Sequence, residues 1–241
     1  MSAIFHLFFF DPLYNALVIL FDILPWADAG VVVIILTVLV RFLMYPLSRK
    51  AVHTQVKMQE IAPDLEGIKK KYKDKPEEQA RQTLALYREK GVNPFSGILV
   101  ILIQLPIIIA LYRIFLLAGF PDIDTSILYP FVSAPEYIST TFLGFINIVD
   151  KSALLAVLAG AAQFLQFRVS TKGQAVPKGD SFGDNLTRSM QTQMKYFLPI
   201  IMFFFAYTTS GVIGLYLLTT SLFALVQELV VRRKLKLSPK S

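Results

Sequence analysis

One arginine stands inside an apolar run, Leu36-Thr37-Val38-Leu39-Val40-Arg41-Phe42-Leu43-Met44. On a helix it would lie roughly 17 Å below Gly30 and about 10 Å above Ser48, at about 1.5 Å per residue. A charge near the centre of a membrane helix costs about 2.5–3.5 kcal/mol on insertion scales. No Asp or Glu sits at matching depth in the other apolar stretches; Glu228 lies near the end of its own. Two readings follow. The guanidinium faces a wet cavity, where it attracts acids, or its stem is buried and its head snorkels to the interface.

Other polar residues favour the cavity. Thr37, Arg41, Met44 or Tyr45, and Ser48 share one helix face. Ser152, Ala156, Ala159, Gln163 and Gln166 form a second stripe, and Tyr216, Thr220 and Gln227 a third, while Gln104 interrupts a fourth apolar stretch. Each alone reads as inter-helix hydrogen bonding worth about 1 kcal/mol, and Ala159-Gly160-Ala161-Ala162 reads as close helix packing. Together they outline a polar groove with one positive charge, built from Arg41, Thr37, Gln104, Gln163, Gln166, Tyr216 and Thr220. Gln163, Gln166 and Gln227 end their stretches, so the groove is expected to open inward. An intramembrane enzyme ranks lowest as a reading, since it would need a His/Asp pair, a metal cluster or a serine beside a base at membrane depth. The two histidines, His6 and His53, lie far apart and cysteine is absent. No metal and no cofactor are expected.

The elements that position these residues follow from composition. The chain has 241 residues, 54% hydrophobic and 17% charged, against about 25% charged in a typical soluble protein. That excludes a soluble globular enzyme and a disordered chain. Five apolar stretches approach the roughly 20 residues a span needs: 30–47, 97–118, 153–169, 195–207 and 212–231. The polar turn Thr208-Thr209-Ser210-Gly211 separates the last two. Lys and Arg number 11 in 49–93, 5 in 168–195 and 5 in 232–241, while the other loops carry Asp11, Asp22, Asp28, Asp122, Asp124, Glu136 and Asp150. Only an odd count puts all three basic segments on one side, and cytoplasmic loops are the basic ones. The expectation is an all-α polytopic membrane protein, five transmembrane helices, N-terminus outside and C-terminus inside. Its segments are an outer N-terminal segment 1–29, a first span 30–48, a cytoplasmic helical hairpin 49–93, a second span 94–118 and an outer loop 119–152. A third span 153–169, a cytoplasmic loop 170–194, a fourth and fifth span as a hairpin 195–231 and a basic tail 232–241 complete it.

Within 1–29, Leu13, Leu17, Leu20, Phe21 and Leu24 recur at helical spacing, which fits a helix lying in the outer interface. A signal peptide is the rival, but no Lys or Arg precedes Arg41. The run from Ala3 to Phe10 is apolar but too short to span. Arg113 reads as an outer-interface anchor. In 49–93, Ile61, Leu65, Ile68 and Tyr72 mark one helix; Pro76, Glu77 and Glu78 start another, and Gly91 ends it. The charge of this hairpin suits a solvated surface, anionic lipid headgroups or ribosomal RNA; seven acidic residues dilute its 11 basic ones, and nothing suggests DNA.

In its ordered motifs the chain resembles the YidC-type membrane-protein insertases, bacterial relatives of the mitochondrial and chloroplast insertases. The motifs are Thr37-Val38-Leu39-Val40-Arg41-Phe42-Leu43-Met44-Tyr45-Pro46-Leu47-Ser48, Lys57-Met58-Gln59-Glu60-Ile61-Ala62-Pro63, Lys71-Tyr72-Lys73 and Leu86-Tyr87. They continue with Gly91-Val92-Asn93-Pro94, Gln104-Leu105-Pro106-Ile107, Leu111-Tyr112, Met194-Lys195 with Pro199, Ser210-Gly211 and Gly214-Leu215-Tyr216. The resemblance implies a five-span core with a hydrophilic groove open to the cytoplasm and to lipid, its single arginine at Arg41. It implies nascent membrane proteins as partners, alone or beside the Sec translocon, in the cell membrane of a bacterium. Two departures stand out: Leu217 follows Tyr216 where the family often has tryptophan, and the ten-residue tail is short for ribosome docking, which stays open. A small-anion transporter or channel is the alternative; repeat symmetry would support it, but five spans do not halve.

Overall fold

The computed structural model describes residues 3–93, 96–116, 120–171, 189 and 193–237. Most of the loop expected over 170–194, Pro94 at the head of the second span and the end of the tail lie outside the described residues. The first helix, α1 (Ala3–Ile23), is continuous. The apolar run from Ala3 to Phe10 therefore does not stand alone. Pro12 lacks an amide N–H, and the turns over His6–Phe10 widen to π geometry ahead of it. His6 Nδ1 lies 3.1 Å from Asp11 Oδ1 across that joint. Leu13, Leu17 and Phe21 are buried on one face, as their spacing predicts.

Helix α2 (Ala29–Leu43) starts where Asp28 Oδ1 accepts the Val31 amide at 3.0 Å. It bends by 62° at Met44 into α3 (Tyr45–Glu60). The first span, expected straight to Ser48, turns four residues earlier. Pro46, in the first turn of α3, cannot donate to a carbonyl one turn back, and its ring excludes a straight path. Helices α4 (Ala62–Lys71) and α5 (Pro76–Glu89) pack together as the hairpin predicts, with a further break at Ile61. After α5, Gly91 takes the left-handed φ of 60° that suits a helix stop.

Helix α6 (Ser96–Leu116) leads to a loop that holds a two-stranded antiparallel ladder. Its strands, β1 (Thr141–Phe142) and β2 (Ile146–Asn147), pair Thr141 with Asn147 and Phe142 with Ile146. Then come α7 (Ala153–Ser170), α8 (Leu198–Thr208) and α9 (Gly211–Leu237), with the α8–α9 break at Thr209 and Ser210, inside the turn read from sequence. Among the described residues three helices are long and apolar enough to cross a membrane, Ala3–Ile23, Ala153–Ser170 and Gly211–Leu235, or four if α2 and α3 form one bent span. Shorter apolar helices cover Leu102–Phe115 and Leu198–Thr208.

Helix α9 packs against α7 on one side and α2 and α3 on another, and α8 packs on α7. Small residues permit this. An ideal Cβ on Gly214 would meet Leu155 Cβ at 3.1 Å, and one on Gly160 would meet Phe203 Cβ at 3.1 Å. Three helices begin at one level, stitched by the 139–152 loop. The Ala29 amide donates to the Ser139 carbonyl at 2.8 Å, Ser152 Oγ accepts from the Leu155 amide at 3.3 Å, and the Gly211 amide donates to the Asp150 carbonyl at 2.7 Å. Helix N-termini leave amides without partners; here the loop supplies partners.

Gly30 is where the hairpin presses hardest on α2. An ideal Cβ there would lie 2.8 Å from Phe142 Cβ and closer still to its ring. Gly30→Ala should cost about 1–3 kcal/mol, the usual range for overpacking. A thermal melt in detergent checks this: the Ala variant should melt lower, and adding Phe142→Ala should recover part of the loss. An unchanged melt would show that the hairpin yields freely.

Candidate functional site

The Arg41 face of α2 turns inward. Thr37 is buried one turn above, and its hydroxyl donates to the Val33 carbonyl at 2.7 Å, so its own helix satisfies it. Arg41 is only 9% exposed. A snorkelled arginine keeps its head in the open; this one does not. Among the described residues no carboxylate pairs with it. Tyr216 of α9 lies within electrostatic range of it. The Tyr216 hydroxyl accepts a hydrogen bond from Gln104 Nε2 of α6. Thr220 sits one turn further along α9. Gln104 Oε1 is buried and has no hydrogen-bond partner among the described residues, while the Thr220 hydroxyl sits beside that of Tyr216. Buried oxygens are nearly always satisfied in folded proteins, by protein or by water, so this junction calls for water or an incoming polar group. Arg41, Gln104 and Thr220 thus gather around Tyr216 of α9, while Thr37 lies on the same α2 face as Arg41 with its hydroxyl taken up by its own helix.

Among the described residues no hydrogen bond joins Gln163 or Gln166 to them. Gln163 Oε1 accepts from Ser221 Oγ at 2.8 Å, and its amide donates to Gln166 Oε1 at 3.3 Å. Gln163 thereby ties α7 to α9. Two open clefts of about 560 and 370 Å³ are apolar, and neither is lined by Arg41. Arg113 places its guanidinium 5.6 Å from the centre of the Phe10 ring, where it fastens α6 to the head of α1.

Sequence reasoning missed a second polar centre, at the opposite ends of α2's neighbours. Arg232 Nε donates to Glu228 Oε1 at 2.9 Å, its Nη1 to Gln59 Oε1 at 3.2 Å and its Nη2 to the Ser170 carbonyl at 3.0 Å. Ser170 Oγ donates to Glu228 Oε2, and Gln55 Nε2 to the Ser170 carbonyl at 2.8 Å. Glu228–Arg232 and Gln55–Gln59 are both i, i+4 pairs, and that spacing was the available signal.

The described geometry accompanies a family match. The family model of the 60Kd inner membrane protein covers residues 20–238. The chain belongs to the 60Kd inner membrane protein family. Among relatives in the YidC branch of that family, the membrane protein insertase YidC of Fusobacterium nucleatum is 33% identical over 85% of this chain and 86% of its own length. That of Oceanobacillus iheyensis is 31% identical over 85% of this chain and 74% of its own. That of Wolinella succinogenes is 28% identical over 90% of this chain, which spans only 37% of that relative's length. The matched stretch of the 60Kd inner membrane protein family includes every residue of the Arg41 junction and of the Glu228–Arg232 centre. Leu217, beside Tyr216, is buried in the core. Family membership and the apolar helices together make the chain a helical multi-pass membrane protein.

Proposed function

We propose that this chain is a membrane-protein insertase of the bacterial cell membrane. The observation that carries the reading is the Arg41 junction: a buried arginine without a carboxylate partner among the described residues, near a buried oxygen of Gln104 that has no hydrogen-bond partner among them. A hydrophilic segment of a client enters from the cytoplasm, and its polar groups meet these atoms partway through the bilayer. The path it must travel through hydrocarbon is shortened. Arg41 draws acidic client residues, and the client's apolar segment then moves sideways into lipid, driven by burial of apolar area. No bond is made or broken. Gln163 and Gln166 form the α7 edge of the groove.

The five-span topology is part of this proposal. The starts of α2, α7 and α9 share one level, and their basic ends, or the helix continuing from them, meet in the Arg232 network. Parallel helices with their basic ends together support a cytoplasmic C-terminus under the positive-inside rule. The middle of α1 supports its interfacial placement. Asn15 Oδ1 accepts from the Tyr129 amide at 2.7 Å and the Tyr14 hydroxyl accepts from the Asp124 amide at 2.7 Å. A helix whose midpoint holds an acidic outer loop lies at that loop's level rather than across the bilayer. Clients are nascent membrane proteins, delivered alone or beside the Sec translocon. The basic segment 49–93 rests on anionic headgroups and offers the ribosome a weak contact.

Photoreactive residues at Gln104 and Thr220 should crosslink a ribosome-bound nascent membrane protein, whereas one at the core position Leu17 should not. Crosslinks absent from both junction positions, with active protein, would overturn the reading.

A further inference from the structure

The β1–β2 turn exposes two large apolar side chains. Leu143 is 60% and Phe145 69% exposed, on either side of Gly144. Residues 137–149 carry no charge. Leu143 adopts φ 53°, a left-handed conformation that a branched, bulky residue takes at a cost of about 1–2 kcal/mol. A turn facing water would ordinarily place Gly or Asn there.

Three backbone amides of this turn are engaged within the protein. The Leu143 amide donates to Asp28 Oδ2 at 3.1 Å, the Gly144 amide reaches the Thr141 carbonyl at 3.5 Å and the Phe145 amide the Phe142 carbonyl at 3.2 Å. Asp28 thereby serves two elements, since its other oxygen caps α2. Irregular backbone survives among lipid chains only when its polar groups are satisfied within the protein.

Beneath the turn runs the cleft of about 560 Å³, roofed by Phe142, Leu143, Phe145 and Ile146. Its walls come from α2, α7 and α9, and on α9 they extend from Leu215 to Val226. That is about 16 Å of helix, close to half of a hydrocarbon core of about 30 Å. The cleft has the depth of one leaflet and opens sideways along faces of three membrane helices.

We propose that the Leu143–Phe145 tip is a lipid-inserting element. It sits among the acyl chains of the leaflet in which α2, α7 and α9 begin, and the cleft below it receives an acyl chain of that leaflet. The inference rests on the membrane placement of those helices and on nothing about clients.

The test uses fluorescence. Trp26 is the chain's single tryptophan, so Trp26→Phe gives a silent background for Phe145→Trp. The purified variant is reconstituted in phosphatidylcholine vesicles brominated either along the acyl chains or not at all. Acyl-chain bromine should remove most of the emission, while iodide in the buffer leaves it unchanged. Leu143→Trp, on the same background, should behave alike and guards against one variant misfolding. Iodide quenching with no response to brominated lipid would overturn the proposal: the tip would then stand in water, free for a protein partner. A failure here leaves the junction crosslinks untouched, so the two readings fall separately.

Discussion

Arg41→Ala is expected to reduce insertion of clients with acidic translocated ends by about tenfold, and to affect uncharged ends far less. At a separation of about 8 Å and an effective dielectric near 20, one charge pair is worth roughly 2 kcal/mol. About 1.4 kcal/mol is a factor of ten, so the screened interaction of one carboxylate accounts for the drop. Arg41→Lys should retain most activity, because the charge stays while the fork of donors is lost. The measurement is the protease-protected fraction of each client in proteoliposomes. The loss should not come from unfolding. Arg41 is buried without a carboxylate partner among the described residues, and an uncompensated buried charge is a burden on the fold. The Ala variant should therefore melt at or above the parent temperature. Equal insertion of acidic and neutral clients by a stable Ala variant would remove the electrostatic step from the mechanism.

Much of the Arg41 junction was legible because helical periodicity is local. Thr37 and Arg41 share a face by spacing alone, as do Tyr216 and Thr220, and Arg41 lies within electrostatic range of Tyr216. The hairpin ends at Pro76 and Gly91, and the α8–α9 break at Thr209–Ser210, were readable for the same reason: turn chemistry acts within a few residues. Periodicity assigns a face but not the neighbour. Gln163 and Gln166 lie on one stripe as read, yet their partner is Ser221 rather than any hydrogen bond to the Arg41 junction. The bend at Met44 was hidden because the apolar run continues through it and Pro46 suits the first turn of a new helix equally well. Asp28 could be read as a helix cap; its bond to Leu143, 115 residues away, depends on the packing of a turn that the sequence shows only as a neutral loop.

The second large effect concerns the Glu228–Arg232 centre. Glu228 is almost fully enclosed, its side chain 4% exposed, and both its oxygens are engaged, one by Arg232 and one by Ser170. Glu228→Gln leaves the Arg232 guanidinium enclosed beside a neutral amide. Breaking a buried pair by removing one partner costs about 3–5 kcal/mol, and for a chain of this size each kcal/mol lowers the melting temperature by about 2–4 °C. The apparent melt in detergent should fall by about 10 °C. Arg232→Leu should do comparable harm, because it strands the Glu228 carboxylate and also releases Gln59 and the Ser170 carbonyl. The pair Glu228→Leu with Arg232→Leu should recover much of the loss, since well-packed apolar groups often replace a buried ion pair without cost. What the double variant cannot restore is the tether from α9 to Gln59 of α3, the helix that leads into the α4–α5 hairpin. Hydrogen exchange across Tyr45–Glu60 should therefore be faster in the double variant than in the parent even where their melts agree. Identical exchange in the two would show that the centre serves stability alone and leaves the position of the hairpin to other contacts.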